Sequence, residues 1–303
     1  MQIFVVGSLN MDLVINTPRF PKLGETVSGS SFMINPGGKG ANQAVATQKL
    51  KCKTYMVGVV GNPFGDELIQ SLISNGVDTS FVNKVNDQSS GVALITLAEH
   101  DNTIVLDAGA NQLVSQEMID QALMCAKPND YVLMQNEIEP QIVSYTLKKS
   151  KELSLITILN PAPARVMDSE DFKYIDYLIL NETEAEFYTG IEIIEASDVK
   201  KTCNKLKQLG VSNIILTLGS HGAVYYGEEI TKVDAYTVDV VDTTAAGDTF
   251  IGAFVSALVK KEPIADALNF ASAAAALTIT KKGAQQAIPS YDEVISFMSS
   301  RKP

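Results

Sequence analysis

The sequence predicts an α/β fold: one mostly parallel sheet covered by helices on both sides, with a small second group of strands lying over a site. Three observations predict it. Apolar, β-branched runs alternate with segments of helical period along the whole 303-residue chain, as they do where crossover helices join parallel strands. No linker, repeat or low-complexity tract interrupts this alternation, so residues 1–303 read as one domain. Three segments stand outside it. Glu25–Ile34, Ser90–Leu97 and Thr103–Leu106 are short, β-like and lack helices of their own. They predict a small sheet inserted at about residues 12–34 and 90–107 that covers a site.

In chain order, Gln2–Gly7 reads as a buried first strand. Asn10 and Asp12 follow, two apart, and project from one face if the backbone stays extended. The stretch Asn35-Pro36-Gly37-Gly38-Lys39-Gly40-Ala41-Asn42 brings three glycines and a lysine to the start of an amphipathic helix. Thr54–Val60 is a strand, Phe64–Ser74 a helix, Asp78–Val82 a short strand and Ser115–Cys125 a helix. Tyr131–Gln135 is an apolar strand ending on Asn136 and Glu137, with a helix beginning near Pro140. Strands Leu155–Leu159 and Tyr177–Leu180 run into Asn160-Pro161-Ala162-Pro163-Ala164 and Asn181-Glu182-Thr183-Glu184. Strand Ile214–Leu218 leads to the turn Gly219-Ser220-His221-Gly222. The apolar run Tyr236–Val241 enters a small-residue stretch and then a helix, in which Phe250, Ile251, Phe254, Ala257 and Leu258 recur at helical spacing. Helical sequence over Ala265–Thr280 ends in Lys281-Lys282-Gly283.

Composition narrows the function. A net charge of -11 argues against a nucleic-acid surface, which needs clustered Lys and Arg. Cys52, Cys125 and Cys203 form no CxxC pair and read as three buried thiols in a reducing compartment. With only His100 and His221, both expected on the surface or in loops, there is little material for a His-rich zinc site or a Ser-His-Asp triad. No apolar run is long enough to span a bilayer, and Met1–Gly7 lacks the basic start of a signal peptide. A cytoplasmic protein with no membrane or nucleic-acid partner is expected.

The chemistry concentrates at Asp242–Ala253. Ala246, Gly247 and Asp248 begin a helix, where free N–H groups welcome an anion. A carboxylate in that turn either complements the helix dipole or takes a proton from a hydroxyl while the N–H groups hold phosphoryl charge. Asn10 with Asp12 is either a polar turn or a polyol contact, since an amide and an acid match hydroxyls that both donate and accept. The Gly37–Asn42 run departs from the Walker P-loop, because Lys39 precedes Gly40 rather than Ser or Thr. It is either a structural turn or a means of bringing N–H groups, Lys39 and Asn42 to a ligand. Glu137 lines a ligand crevice at a strand end or caps the next helix. Asn181 and Glu184 have capping-box spacing, or else meet phosphate or hydrated Mg²⁺.

Six pieces, in order, carry a resemblance. They are Gly7–Asp12, Gly37–Ala44, Asn160–Ala164, Asn181–Glu186, Asp242–Phe250 and Lys282–Gln285. Over nearly its whole length the chain resembles the ribokinase family of sugar kinases. The resemblance implies a three-layer α/β/α sandwich with a β lid, and ATP-dependent phosphorylation of the ribose 5-hydroxyl. Kinases of deoxyribose, of a hexose or of a nucleoside are the alternatives. It implies that Asn10, Asp12, Gly38, Lys39, Asn42 and Glu137 contact sugar, and that Asp248 is the base, beside an anion hole at Ala245, Ala246 and Gly247. Asn181, Glu184, Thr217, Gly219, Ser220, Gly222, Gly247 and Ser272 fall on the ATP and Mg²⁺ side. A potassium ion is implied at Asp242, Thr244, Thr278, Lys281, Gly283 and Ala287, several through carbonyls. A homodimer formed through the lid is also implied. The chain departs from the family's usual residues at Ser272, Ala287 and Asn136.

Overall fold

The computed structural model describes residues 1–99 and 101–301. His100, expected in a loop, lies outside them. Strands β1 (Ile3–Val6), β2 (Asn10–Asn16) and β3 (Ser30–Gly37) precede helix α1 (Lys39–Lys49). Next come β4 (Thr54–Val60), α2 (Gly65–Ser74), β5 (Asp78–Lys84), β6 (Gly91–Ala98) and β7 (Asp101–Asp107). Then follow α3 (Gln116–Leu123), β8 (Tyr131–Gln135), α4 (Pro140–Glu152), β9 (Ile156–Asn160), β10 (Tyr177–Asn181) and α5 (Glu182–Thr189). The chain continues through α6 (Ala196–Gln208), β11 (Asn213–Thr217), β12 (Ala223–Tyr226), β13 (Ile230–Val233), α7 (Ala246–Val259), α8 (Ile264–Thr278) and α9 (Tyr291–Ser300).

The large sheet has the order β13-β12-β11-β10-β9-β8-β1-β4-β5. It is parallel from β11 to β5, and β12 and β13 extend it antiparallel. Side chains alternate across it. Ile3 and Val5 of β1 enter a core shared with α1, α7 and α8, while Phe4 and Val6 enter a second core with α3, α4 and α6. Helices on both faces make the expected three-layer α/β/α arrangement.

The small sheet has the order β3-β2-β6-β7. Strand β2 is its link to the large sheet, following β1 after three residues. The strand expected from Glu25 instead begins at Ser30. Glu25 is held outside the ladder by Arg19, whose Nη1 donates to it at 2.6 Å.

One further expectation is corrected, and one apolar run takes no regular structure. Cys125 is exposed just past the end of α3, whereas Cys52 and Cys203 are buried. The run Tyr236–Val241 forms no strand: Val240 and Val241 are more than half exposed, and Val241 donates to Ile279 O at 2.8 Å instead of to a neighbouring strand. Strands β12 and β13 are absent from the sequence reading because each is four residues long and they are joined by the short turn Gly227-Glu228-Glu229 rather than by a helix.

Candidate active site

A polar cleft forms where β2 of the small sheet passes the start of α1. Gly38 makes the junction possible. Its φ is +88°, and a Cβ there would lie 2.7 Å from Asn10 N, so a side chain would push α1 off the strand. Asn10 and Asp12 are both buried on β2. Asn10 Oδ1 accepts from Asn111 Nδ2 at 2.7 Å, and Asn10 Nδ2 donates to Glu137 at 3.3 Å. Glu137 Oε2 also accepts from Ser8 Oγ at 2.5 Å and from Lys39 N at 3.1 Å. Glu137 therefore faces the cleft, and the N-cap of α4 is Glu139. The neighbouring Asn136 turns away, donating to Tyr188 Oη at 3.3 Å.

Charge is concentrated in this cleft. Burial, then the nearby Glu137 and Asp248, push the Asp12 carboxyl up to about 7, with Lys39 opposing. Burial works to lower Lys39, but Asp248, Glu137, Glu184 and Asp12 outweigh it, and the ammonium is held above its ordinary value. Asn42 Nδ2 donates to Asp248 Oδ2 at 2.9 Å, while Asn42 Oδ1 is buried without a partner among the described residues. An orphaned buried acceptor calls for a donor from a ligand. Three acids, a lysine and two amides around one small space suit a molecule rich in hydroxyls.

The start of α7 closes this cleft. Ala245 takes the left-handed conformation, φ 59°, and turns the chain into the helix. Of the three amides expected to be free, that of Ala246 donates to Thr243 O at 3.2 Å. Gly247 and Asp248 N–H have no backbone partner among the described residues, which leaves two donors at the positive end of the helix. A Cβ on Gly247 would meet nothing within 4 Å. Packing does not require that glycine, and its bare Cα leaves room for a ligand. Asp248 itself is buried, its two oxygens held by Asn42 and, at 2.9 Å, by Gln43 Nε2.

On the other side of the same helical turn lies a cavity of about 720 Å³. Of the residues placed on the nucleotide side by the resemblance, Asn181, Thr217, Gly219, Ser220, Gly222, Gly247 and Ser272 line it together. Glu184 does not. Asn181 and Glu184 complete a capping box, with Glu184 Oε2 accepting from Asn181 N at 3.0 Å and Asn181 Oδ1 from Glu184 N at 2.8 Å. Burial raises the Glu184 carboxyl. Glu182 and Thr183 reach the wall in its place. The apolar surfaces come from Tyr236, Val238 and Val240 and from Phe250, Ala275, Ala276 and Ile279. Sequence reading missed these residues. The one available signal is the alanine run Ala273–Ala276, small enough for a flat ring to approach.

The loops expected to hold a cation do come together. Asp242 Oδ1 accepts from Thr244 N at 2.9 Å and from Thr244 Oγ1 at 2.6 Å, and Oδ2 accepts from Gly283 N at 2.9 Å. Thr278 turns its hydroxyl to Thr249 Oγ1 at 3.0 Å, leaving only its carbonyl for the loop. Lys281 pairs with Glu293 at 2.9 Å, and Ala287 is buried. Among the described residues no group of three or more His, Cys, Asp or Glu side chains could hold a metal.

Residues 1–290 match the model of the pfkB family of carbohydrate kinases. The chain is 39% identical over 300 residues to a ribokinase of Bacillus subtilis (strain 168), covering 98% of this chain and 99% of the relative. It is 37% identical to a deoxyribokinase of Salmonella typhi, covering 99% of each. A solved structure of Arabidopsis thaliana ribokinase complexed with ribose and ATP superposes with a TM-score of 0.89 at 32% identity, covering 98% of both chains.

Proposed function

We propose that this chain, which belongs to the pfkB family of carbohydrate kinases, transfers the terminal phosphoryl group of ATP to the 5-hydroxyl of D-ribose. One observation carries the reading. Asp248 sits in the first turn of α7, its carboxylate held in the polar cleft, while the same turn lines the cavity and leaves the Gly247 and Asp248 amides free. Ribose enters the polar cleft, where Asn10, Asp12, Lys39, Asn42 and Glu137 match its hydroxyls. Asp248 takes the hydroxyl proton as that oxygen bonds to the γ-phosphorus, and the bond to ADP breaks. The two free amides stabilise charge on the transferred group. Adenine lies against the alanine face of α8, near Ser272.

Two cations belong to this reading. Mg²⁺ would come with the ATP phosphates and would supply charge neutralisation there, with Asn181, which lines the cavity, as the side chain to hold it through water and Glu184 fixing Asn181 through the capping box. Potassium fits the loops before α7 and after α8, where the Asp242 carboxylate and main-chain carbonyls offer hard oxygen donors. When bound it supplies a fixed positive charge beside those loops. Asp242 by itself already ties Thr244 to Gly283 and so steadies the approach to the free amides.

A homodimer through the small sheet is part of the proposal. Leu13 lies in register with Ile34 and Leu94, and Leu94 with Val105, so the four form one apolar row across the sheet. Ile34, Leu94 and Val105 are 50%, 53% and 67% exposed, a surface that a second copy would cover. A cytoplasmic location agrees with three unpaired cysteines.

Deoxyribose is the second reading, favoured by the deoxyribokinase relative. The test is ADP release by purified protein with ATP and a panel of pentoses, hexoses and nucleosides, with and without potassium. Ribose is expected to give the highest kcat/KM, with potassium activating. A higher value for deoxyribose selects the second reading. Preference for a nucleoside, or no sugar-dependent ADP, overturns both.

A further inference from the structure

Gln43 lies next to Asn42 on α1 and is fully buried. Its Nε2 donates to Asp248 Oδ1 at 2.9 Å and to Asn160 Oδ1 at 3.2 Å, while its Oε1 accepts from Gln135 Nε2 at 2.6 Å. The direction of every amide in this chain follows from one backbone group. Ile179 O, on β10, can only accept, so Asn160 must give it Nδ2, at 3.0 Å. Asn160 then presents Oδ1 to Gln43, Gln43 must present Nε2, and that same NH₂ reaches Asp248. The Gln43 oxygen is left for Gln135, which must donate. The Gln135 amide packs against Gly7, where a Cβ would lie 2.0 Å from its Oε1, and that oxygen is buried without a hydrogen-bond partner among the described residues. The ends of β8 and β9 and the middle of the neighbouring β10 thus settle which way a helix side chain faces the base.

We infer that Gln43 is a positioning residue for the base: its amide, aimed by Asn160 and Gln135, holds the Asp248 carboxylate in one orientation. Asn42 holds the second oxygen, but its own oxygen is free for a ligand. Gln43 has no such freedom, because both ends of its amide are used inside the protein. A donor aimed at a carboxylate favours the ionised state, and here the aim is enforced by groups that never meet substrate. The other charged groups facing this space are Lys39 from α1, Asp12 from β2, Glu137 from the end of β8 and Glu184 from α5. Changing Gln43 leaves all of them in place.

The inference rests on Asp248 being the base. The experiment compares the pH dependence of kcat for the wild type, Gln43→Met, Gln135→Met and Asp248→Asn. Gln43→Met keeps the length of the side chain and removes the donor. Its acidic limb should move up by about one pH unit, the effect of losing one hydrogen bond to a charged group. Its kcat at neutral pH should fall about tenfold, as when a supporting partner is lost, with KM for sugar and ATP within about twofold of wild type. Gln135→Met, which does not touch Asp248, should shift the limb the same way by less. A limb unmoved in Gln43→Met, even with a lowered melting temperature, overturns the inference. If that variant does not fold, an unmoved limb in Gln135→Met overturns it. Near-normal turnover in Asp248→Asn shows instead that the base was wrongly chosen, a separate failure.

Discussion

The polar cleft and the cavity share one helical turn, yet they are built in opposite ways. The cleft is made of side chains locked to one another. Asn111, Asn10, Glu137 and Ser8 form one hydrogen-bonded set, and Asn160, Gln43, Asp248 and Asn42 form another. Burial first, and then the neighbouring Glu137 and Asp248, raise the Asp12 carboxyl in it. The cavity is walled by small and apolar residues and by turns of backbone, with Gly219 and Gly247 presenting open space where side chains would stand. The contrast teaches where selectivity resides. A site of fixed donors and acceptors rejects a ligand that leaves one of them unpaired, whereas an apolar slot discriminates weakly between similar shapes.

The most severe break of this contrast comes at the shared turn. Asp248→Asn keeps the size of the side chain but accepts no proton. Turnover should fall by roughly 10²–10⁴ while sugar still binds, measured by steady-state kinetics beside equilibrium sugar binding. Turnover within a few-fold of wild type would remove Asp248 from that role.

Within the cleft, Asp12→Ala should raise KM for sugar far more than KM for ATP. The sugar hydroxyl loses a charged partner worth roughly 1.5–3 kcal/mol. Equal changes in both constants would point to altered folding or closure. A companion measurement uses the titration of Asp12 near pH 7. The ionised carboxylate is the stronger acceptor, so KM for sugar should fall as pH rises from 6 to 8, by up to about tenfold if only the anion binds. The same group has the opposite effect on stability. Its pKa is raised in the folded state, so the folded chain holds the proton more tightly than the unfolded chain. The stability this contributes is present below pH about 4 and lost as pH rises through about 7. Asp12→Asn should flatten both dependences.

The mildest effect belongs to the cavity. Ser272→Ala removes a hydroxyl from a wall that is otherwise largely apolar. KM for ATP should change by no more than about fivefold, and the preference between ATP and GTP should barely move, since one polar group on the cavity wall contributes about 1 kcal/mol or less. A tenfold loss of ATP affinity would show that this cavity, like the cleft, recognises its ligand through individual polar groups.

The sequence by itself determined the layered α/β fold, most strand positions, and the stretches that carry the polar cleft. Period and composition are local properties, and strands such as Thr54–Val60 and Tyr131–Gln135 are written in consecutive residues. Asn10, Asp12, Lys39, Asn42 and Asp248 stood out because they fall within the ordered pieces that carry the family resemblance, whereas each one alone left a structural alternative open. Tertiary structure decided the rest. It turned Glu137 into the cleft rather than over α4, and gave Glu184 to a cap. It built the cavity from Tyr236, Phe250 and Ala275, which no local pattern joins. It also aimed Gln43 at Asp248, 205 residues away, through a carbonyl on β10. Hydrogen-bond direction is a relation between elements, and it exists only once the strands that carry those groups lie side by side.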